Sequence, residues 1–424
     1  MTRRTLLLML VCCALSLGAL AQSGSPWNCN TPTNTHLICL VPVATRSLGA
    51  GNSPAPTFNS AFATQLSQLP LLSSGSGVAV TLDKSLGLYV VSENLGPILT
   101  DRAQTIGKHK LMLAFAYQRF RFNSIDGTNL SSVPFVFTSS SSGAGGPTQF
   151  TVETEHVDFK LDQYVGVATY GLTDRIDVSV IIPFDRVSIG ADSMVTLYQV
   201  GADNSQQGMV PTFSTPHVPG SASGIGDMLV NLKRLFWSGE KTNFTGGLLM
   251  RFPTGDALNY LGSGAYGFNP YAILSYQARL SPHARIGYQF NTATVLIPNA
   301  SGTGSSTLPG GLQYNVGADY VLFKKVPTTL AGDFLGNYIV NSPVLVPGTT
   351  IIAAPGYDKS PYPIGPQRTL NPATTSYGSN QLSIGLKVKP VGNLILYGNV
   401  LIQLNNVGLR SNPAPMVGIS YTFF

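Results

Sequence analysis

The chain has little charge. Only 10% of its 424 residues are Asp, Glu, Lys or Arg, where soluble domains carry about 25%. Past residue 20 it has no run of about twenty apolar residues, which excludes a helical membrane bundle. Cysteine is scarce, with four residues, so a Cys-rich metal or disulfide scaffold is excluded. Clusters of Lys and Arg are missing too. The formal charge of +6 is spread along the chain, and that diffuseness excludes nucleic acid as a partner.

The N-terminus carries an export signal. Arg3 and Arg4 precede an uncharged apolar stretch, Thr5 to Leu20, that ends at the small-residue box Ala19-Leu20-Ala21. A stretch this short, closed by a cleavage box, reads as a secretory signal over residues 1–21, with the mature chain starting near Gln22; a membrane anchor is the weaker alternative. Gln22 is not Cys, so no lipoprotein is expected. Loss of the signal takes Cys12, Cys13 and two of the 25 basic residues, leaving 23 basic against 19 acidic, or +4. Cys29 and Cys39 remain in an oxidising compartment and are expected to pair as a local staple. His36 alone beside them is too little for a metal site.

From Leu111 onward, apolar residues recur at every second position, the period of a half-exposed strand. Leu111, Leu113, Phe115 and Tyr117 form the first run, and Phe159, Leu161, Val165 and Val167 the second. Ile176 to Ile182, Met228 to Leu232, Phe244 to Phe252, a mixed stretch Tyr266 to Leu280, Ile286 to Phe290 and Leu312 to Tyr320 follow. Leu330 to Tyr338, Leu382 to Val388, Leu394 to Ile402 and Val417 to Phe423 complete about twelve strands. Connections alternate in length. Short ones lie near Gly171–Arg175, Ser238–Thr242, Ser281–Pro282, Lys324–Pro327 and Pro390–Asn393. Long ones lie near Asn123–Pro147, Gly190–Ser223, Thr254–Ala265, Pro298–Pro309, Asn341–Gly378 and Asn405–Asn412. An even strand number with alternating short and long connections predicts an all-β fold: a transmembrane up-and-down antiparallel barrel with both ends in the periplasm of a bacterial envelope. An open sheet in lipid would strand its edge amides, so the sheet must close.

The polar faces are too charged for a dry interior, so they are assigned to the lumen and the apolar faces to lipid. The lumen-lining candidates are Lys160, Asp162, Asp177, Asp227, Lys233, Arg251, Arg285, Asp319, Asp333 and Lys387. They would set solute preference, although for each one a structural role in an interior ion-pair network is the stronger reading. Tyr and Phe near strand ends suit interfacial girdles. Tyr421, Phe423 and the terminal Phe424 resemble the C-terminal signature read by outer-membrane assembly machinery, with Phe423 on the lipid face. Lipid and lipopolysaccharide are the remaining expected partners, besides a small-molecule solute.

Residues 22–107 precede the barrel, which occupies 108–424. They hold Pro and Ser clusters, one predicted helix from Phe58 to Leu69 ended by Pro70, and a predicted hairpin of Val78–Leu82 and Leu88–Val91. A lumen of twelve strands is intermediate in width, so this segment is expected to plug it or cap its periplasmic mouth, with a plain periplasmic tail as the alternative. An enzyme is not expected. No His has Ser two positions on, the acid cluster Glu153, Glu155, His156 and Asp158 reads as a solvated face, and the glycine runs Gly143–Gly146 and Gly302–Gly304 fall in loops rather than phosphate cradles. No cofactor is implied.

Four stretches carry a family resemblance: Thr169–Phe184 (TYGLTDRIDVSVIIPF), Gly224–Lys233 (GIGDMLVNLK), Arg251–Asp256 (RFPTGD) followed by Gly262-Ser263-Gly264, and Asn393–Phe423. In order and spacing they resemble the outer-membrane proteins of the phenol-degradation meta-pathway family, which are related in style to long-chain fatty-acid transporter barrels. The resemblance runs from about Gln118 to the C-terminus. It implies a barrel for passive uptake of small hydrophobic or aromatic solutes and carries over no residue-level mechanism. The alternative function is a structural or surface-interaction barrel with a filled lumen, acting through its outer loops.

Overall fold

The structure is a computed structural model that describes residues 36–40, 55–70, 72–73, 75, 80–83, 88–91, 94–139, 148–200, 206–298, 305–352 and 364–423. The signal, Cys29, Phe424 and the glycine runs Gly143–Gly146 and Gly302–Gly304 lie outside these residues. Among the described residues no helix is long and apolar enough to cross a membrane.

Twelve antiparallel strands close on themselves. In chain order they are β1 (Leu111–Ile125), β2 (Thr148–Thr173), β3 (Ile176–Val200), β4 (Met228–Ser238), β5 (Thr242–Phe252) and β6 (Gly267–Tyr276). The second half is β7 (Leu280–Asn291), β8 (Gly311–Phe323), β9 (Thr328–Ile352), β10 (Ile364–Val388), β11 (Leu394–Gln403) and β12 (Ala414–Phe423). Each pairs with the next in sequence. β12 closes the ring on β1, with Phe423 opposite Leu111 and Met416 opposite Gln118.

The two-residue period becomes two surfaces. On β1, Phe115 is 50% exposed while Ala116 is fully buried. Ile286, Val316, Ile384, Val417 and Phe423 lie on the same exposed face, which meets hydrocarbon, whereas Thr245, Asp333, Ser383 and Lys387 are buried inside. A closed barrel with an apolar belt outside and polar groups inside is an outer-membrane barrel, and its short turns mark the periplasmic end.

Two expectations are corrected. The long connections Gly190–Ser223 and Asn341–Gly378 are largely strand rather than loop. β3, β9 and β10 each run for 25 residues and β2 for 26, where about ten span a bilayer. Segments such as Met194–Val200 and Pro343–Ile352 are rich in β-branched and aliphatic residues, so they continue the ladder beyond the membrane. The second correction concerns β2, whose apolar face looks inward. Phe159, Leu161, Val165 and Val167 are buried. Lys160 and Asp162, expected in the lumen, share the outer face with Tyr164 instead. There Asp162 accepts a 2.6 Å hydrogen bond from Tyr117 and lies 3.4 Å from Arg119.

The reason for the inversion is a helix inside the barrel. α1 (Ala55–Leu66) is buried all round from Phe58 to Gln65. Its Phe62 ring lies 4.2 Å from Phe159, 5.7 Å from Tyr260 and 6.1 Å from Phe122, centroid to centroid. An apolar wall on β2 therefore has an apolar partner within. Pro70 ends the segment because it lacks the N–H that another helical turn needs.

Phe62→Ala removes the centre of this ring cluster, a loss of about 3–5 kcal/mol for a buried Phe. The expected result in limited proteolysis is cleavage within α1 while the barrel keeps its heat-modifiable migration on gels. A helix as resistant as in the parent protein would contradict this packing account.

Candidate functional site

Residues 94–106 form a strap across the periplasmic end of the lumen. The strap has no regular secondary structure, so its backbone groups must be satisfied by the wall. Leu95 N–H donates to Thr329 Oγ1 (3.1 Å) and Lys387 Nζ donates to Leu95 O (3.2 Å). Ala103 N–H donates to Ser275 Oγ (2.8 Å), and its carbonyl accepts from Thr245 Oγ1 (2.5 Å). Lys233 Nζ donates to Gln104 O (2.9 Å), and Ile106 N–H donates to Asp177 Oδ2 (3.1 Å). The strap thus reaches from β9 and β10 across to β3. At its centre Thr100 donates to Asp333 Oδ1 (2.9 Å) and lies 3.0 Å from His283 Nε2. His283 itself sits between Asp333 (2.7 Å) and Asp319 (3.5 Å).

A second set of groups converges on Asp227, where β4 begins. Asp227 accepts from Ser263 N–H (2.8 Å) and Gly255 N–H (3.2 Å), and also from the Ser263 hydroxyl. Arg251 lies 3.7 Å away and donates to Asn291 Oδ1 (2.7 Å) and Ser67 O (3.2 Å). The connection between β5 and β6 consequently folds into the barrel. Glycine is required at its crossings, because a Cβ at Gly255 would meet Leu261 O at 2.3 Å and one at Gly262 would meet Asp227 Oδ1 at 2.4 Å. Asp256 caps the short turn Ala257–Asn259 by accepting from Leu258 N–H (3.1 Å). Tyr260 then points at α1 and donates to Asn59 Oδ1 (3.0 Å). On the far side of α1, Asp126 in the connection after β1 accepts from Leu345 N–H (2.9 Å), Gly408 N–H (3.1 Å) and Gln65 (3.3 Å). Burial holds that carboxyl above its ordinary value, opposed by these donors.

Between α1 and the strap lies a cavity of about 230 Å³. One wall, on β2 to β5 and the inward loop, interleaves Leu161, Ile181, Leu229, Leu249 and Leu261 with Gln163, Asp185, Asp227, Asn231 and Arg251. The opposite wall, on β7 to β10, is a ladder of Arg285, Gln289, Gln313, Asn315, Asn337 and Gln381. The guanidinium of Arg285 lies 4.5 Å over the Tyr271 ring.

Of the ten residues proposed from sequence to line the lumen, eight face inward and fall into three groups. Asp177 and Lys233 are 3.6 Å apart and hold the strap. Asp319, Asp333 and Lys387 surround its centre. Asp227, Arg251 and Arg285 line the cavity. Lys160 and Asp162 face outward. Cys39 is disulfide-bonded and buried. The sequence reading missed His283, Asp185 and the whole strap. Thr100, Asp101, Arg102, Gln104 and Thr105 form a dense polar run without alternation, and that was the available signal.

With this geometry in view, the sequence model described as "Putative MetA-pathway of phenol degradation" matches residues 123–295. The match covers 173 of the 424 residues. The matched segment covers β2 to β7 and contains Asp227 and all the groups that converge on it. No curated protein matches the chain. Among solved structures, an outer-membrane channel from Pseudomonas putida F1 is 13% identical and aligns over 76% of this chain and 99% of its own, with a TM-score of 0.43. The NanC porin is 10% identical over 73% of this chain and 98% of its own, at 0.34. A Pseudomonas aeruginosa FadL homologue is 8% identical over 74% and 88%, at 0.27.

Asp333→Ala deprives Thr100 and His283 of their shared acceptor, and breaking a buried pair of this kind costs about 3–5 kcal/mol. The expected outcome is faster hydrogen exchange of the strap amides from Leu95 to Ile106, by a factor of about 10² or more, with the strand amides unchanged. Unaltered strap protection would show that His283 and Asp333 do not hold it.

Proposed function

We propose that this barrel passes small, largely apolar or aromatic solutes passively across the outer membrane, without cofactor or energy source. The cavity between α1 and the strap is the observation that supports this most. A filled interior would leave no room for a solute, whereas this one leaves about 230 Å³ with five aliphatic side chains in its lining, Leu161, Ile181, Leu229, Leu249 and Leu261. A 150 Å³ apolar cavity in another protein takes up benzene, so the volume suits a single ring with one or two substituents. In this reading the N-terminal segment is a plug, and the strap is the periplasmic gate.

The strap's many buried polar anchors favour a second reading, in which the barrel is closed and acts through the hairpins that β2, β3, β9 and β10 raise beyond the membrane. Lipid and lipopolysaccharide would surround it in either case, and Phe423 on the lipid face suits recognition by assembly machinery.

Planar-bilayer recordings separate the two readings. The mature protein is expected to show rare, small conductance steps, and a variant lacking residues 22–107 steps several times larger, provided its heat-modifiable migration shows a folded barrel. An Ala103→Cys, Ser275→Cys pair that locks the strap to β6 is expected to abolish the steps until a reductant is added. Equal conductance with and without the segment would defeat the plug. Silence from both forms would favour the closed barrel.

A further inference from the structure

Arg285 is the one cation of the cavity wall that has no acidic partner among the described residues. Its Nη1 makes a single long contact, 3.5 Å to Gln313 Oε1. Its Nε is buried without a hydrogen-bond acceptor, and burying a guanidinium donor unpaired is costly. Tyr271 supports the flat face from one side, and Arg285 lines the cavity. The other cation, Arg251, is committed to Asp227, Asn291 and Ser67.

We infer that Arg285 receives the carboxylate of a single-ring aromatic acid whose ring lies against Leu161, Ile181, Leu229 and Leu249. This deepens the proposed function and rests on it. A planar guanidinium pairs with a carboxylate through two parallel hydrogen bonds, and Nη1, held only by its 3.5 Å contact, together with Nη2 forms an end-on pair of that kind. The amide of Gln313 flanks it on the same wall, and its N–H group can donate to the second carboxylate oxygen. The acidic groups of the cavity set the orientation. Asp227 is covered by Arg251 and Ser263, and Asp101 is engaged by Ser73 and the Gly75 N–H. Asp185 stands on β3, with β4, β5 and β6 between it and Arg285, and has one buried oxygen without a donor. An anion is repelled from that wall and drawn to the β7 wall. The apolar residues between the two are where the ring fits.

Equilibrium dialysis with labelled benzoate, benzyl alcohol and benzylammonium tests this on the mature protein in a non-ionic detergent. Benzoate is expected to bind about tenfold or more tighter than benzyl alcohol, the difference a charge-assisted bond supplies, and benzylammonium weakest of the three. Arg285→Gln is expected to lower benzoate binding to the level of benzyl alcohol and to leave benzyl alcohol unchanged. Arg285→Lys keeps the charge but not the fork, and is expected to recover only part of the benzoate affinity. Leu229→Trp, which fills the cavity, is expected to abolish both. Each variant is first checked for heat-modifiable migration. Equal binding of benzoate and benzyl alcohol, or benzoate binding indifferent to Arg285→Gln, overturns the role of Arg285 and leaves the channel reading standing. Binding of neither ring overturns the inference as well, and conductance that also stays absent after removal of residues 22–107 brings down the channel reading with it.

Discussion

A backbone amide in hydrocarbon has no water to bond, and each one left unpaired costs several kcal/mol. Everything else in this protein follows from that constraint. Strands can cross lipid only when every edge is paired, so β12 must return to β1 and the sheet must become a ring. Once the ring is closed, its two faces meet two solvents. The two-residue period then sorts Phe115, Val316 and Ile384 to the lipid and Thr245, Asp333 and Lys387 to the lumen.

The same rule governs the interior once the N-terminal segment enters it. The strap carries no ladder of its own, so its amides and carbonyls find wall residues: Thr329, Ser275, Thr245, Lys233 and Asp177. Buried charges are tolerated there because each bonds the strap or a partner. α1 imposes the complementary demand. Its Phe58 and Phe62 need apolar neighbours, and β2 supplies them from the face that elsewhere in the barrel would be polar. The lumen is therefore divided into an apolar upper part around α1, a polar floor under the strap, and a mixed cavity between.

Two of the four stretches that carry the family resemblance have a common physical role. GIGD, RFPTGD and Gly262-Ser263-Gly264 look unrelated along the chain, yet all contribute atoms to the environment of Asp227. The glycines permit backbone approaches that a Cβ would block. Arg251 balances the charge. The outcome is an outer connection turned inward, so that Tyr260 reaches α1. The motif is thus a device for positioning a loop inside the barrel, and it contributes Arg251, Leu261 and Ser263 to the cavity wall.

Strand number, period and closure were legible in the sequence, because they rest on local alternation and on the universal cost of unpaired amides. The lipid face of β12 was legible for the same reason. The helix, too, could be read from its apolar run and Pro70. What alternation could not reveal was which solvent each face meets when the lumen is filled. Phe159, Leu161 and Val165 have the pattern of a lipid-facing strand, and only the presence of α1 within the ring turns them inward and puts Lys160 and Asp162 outside. Nor could it reveal the strap, whose residues have no period because their partners are scattered over strands between 70 and nearly 300 positions away. The sequence by itself determined a closed membrane barrel, since that depends on neighbours two residues apart. Only the tertiary structure decided the cavity and the place of Arg285 in its wall without an acidic partner among the described residues, since these depend on which distant side chains a filled lumen brings face to face.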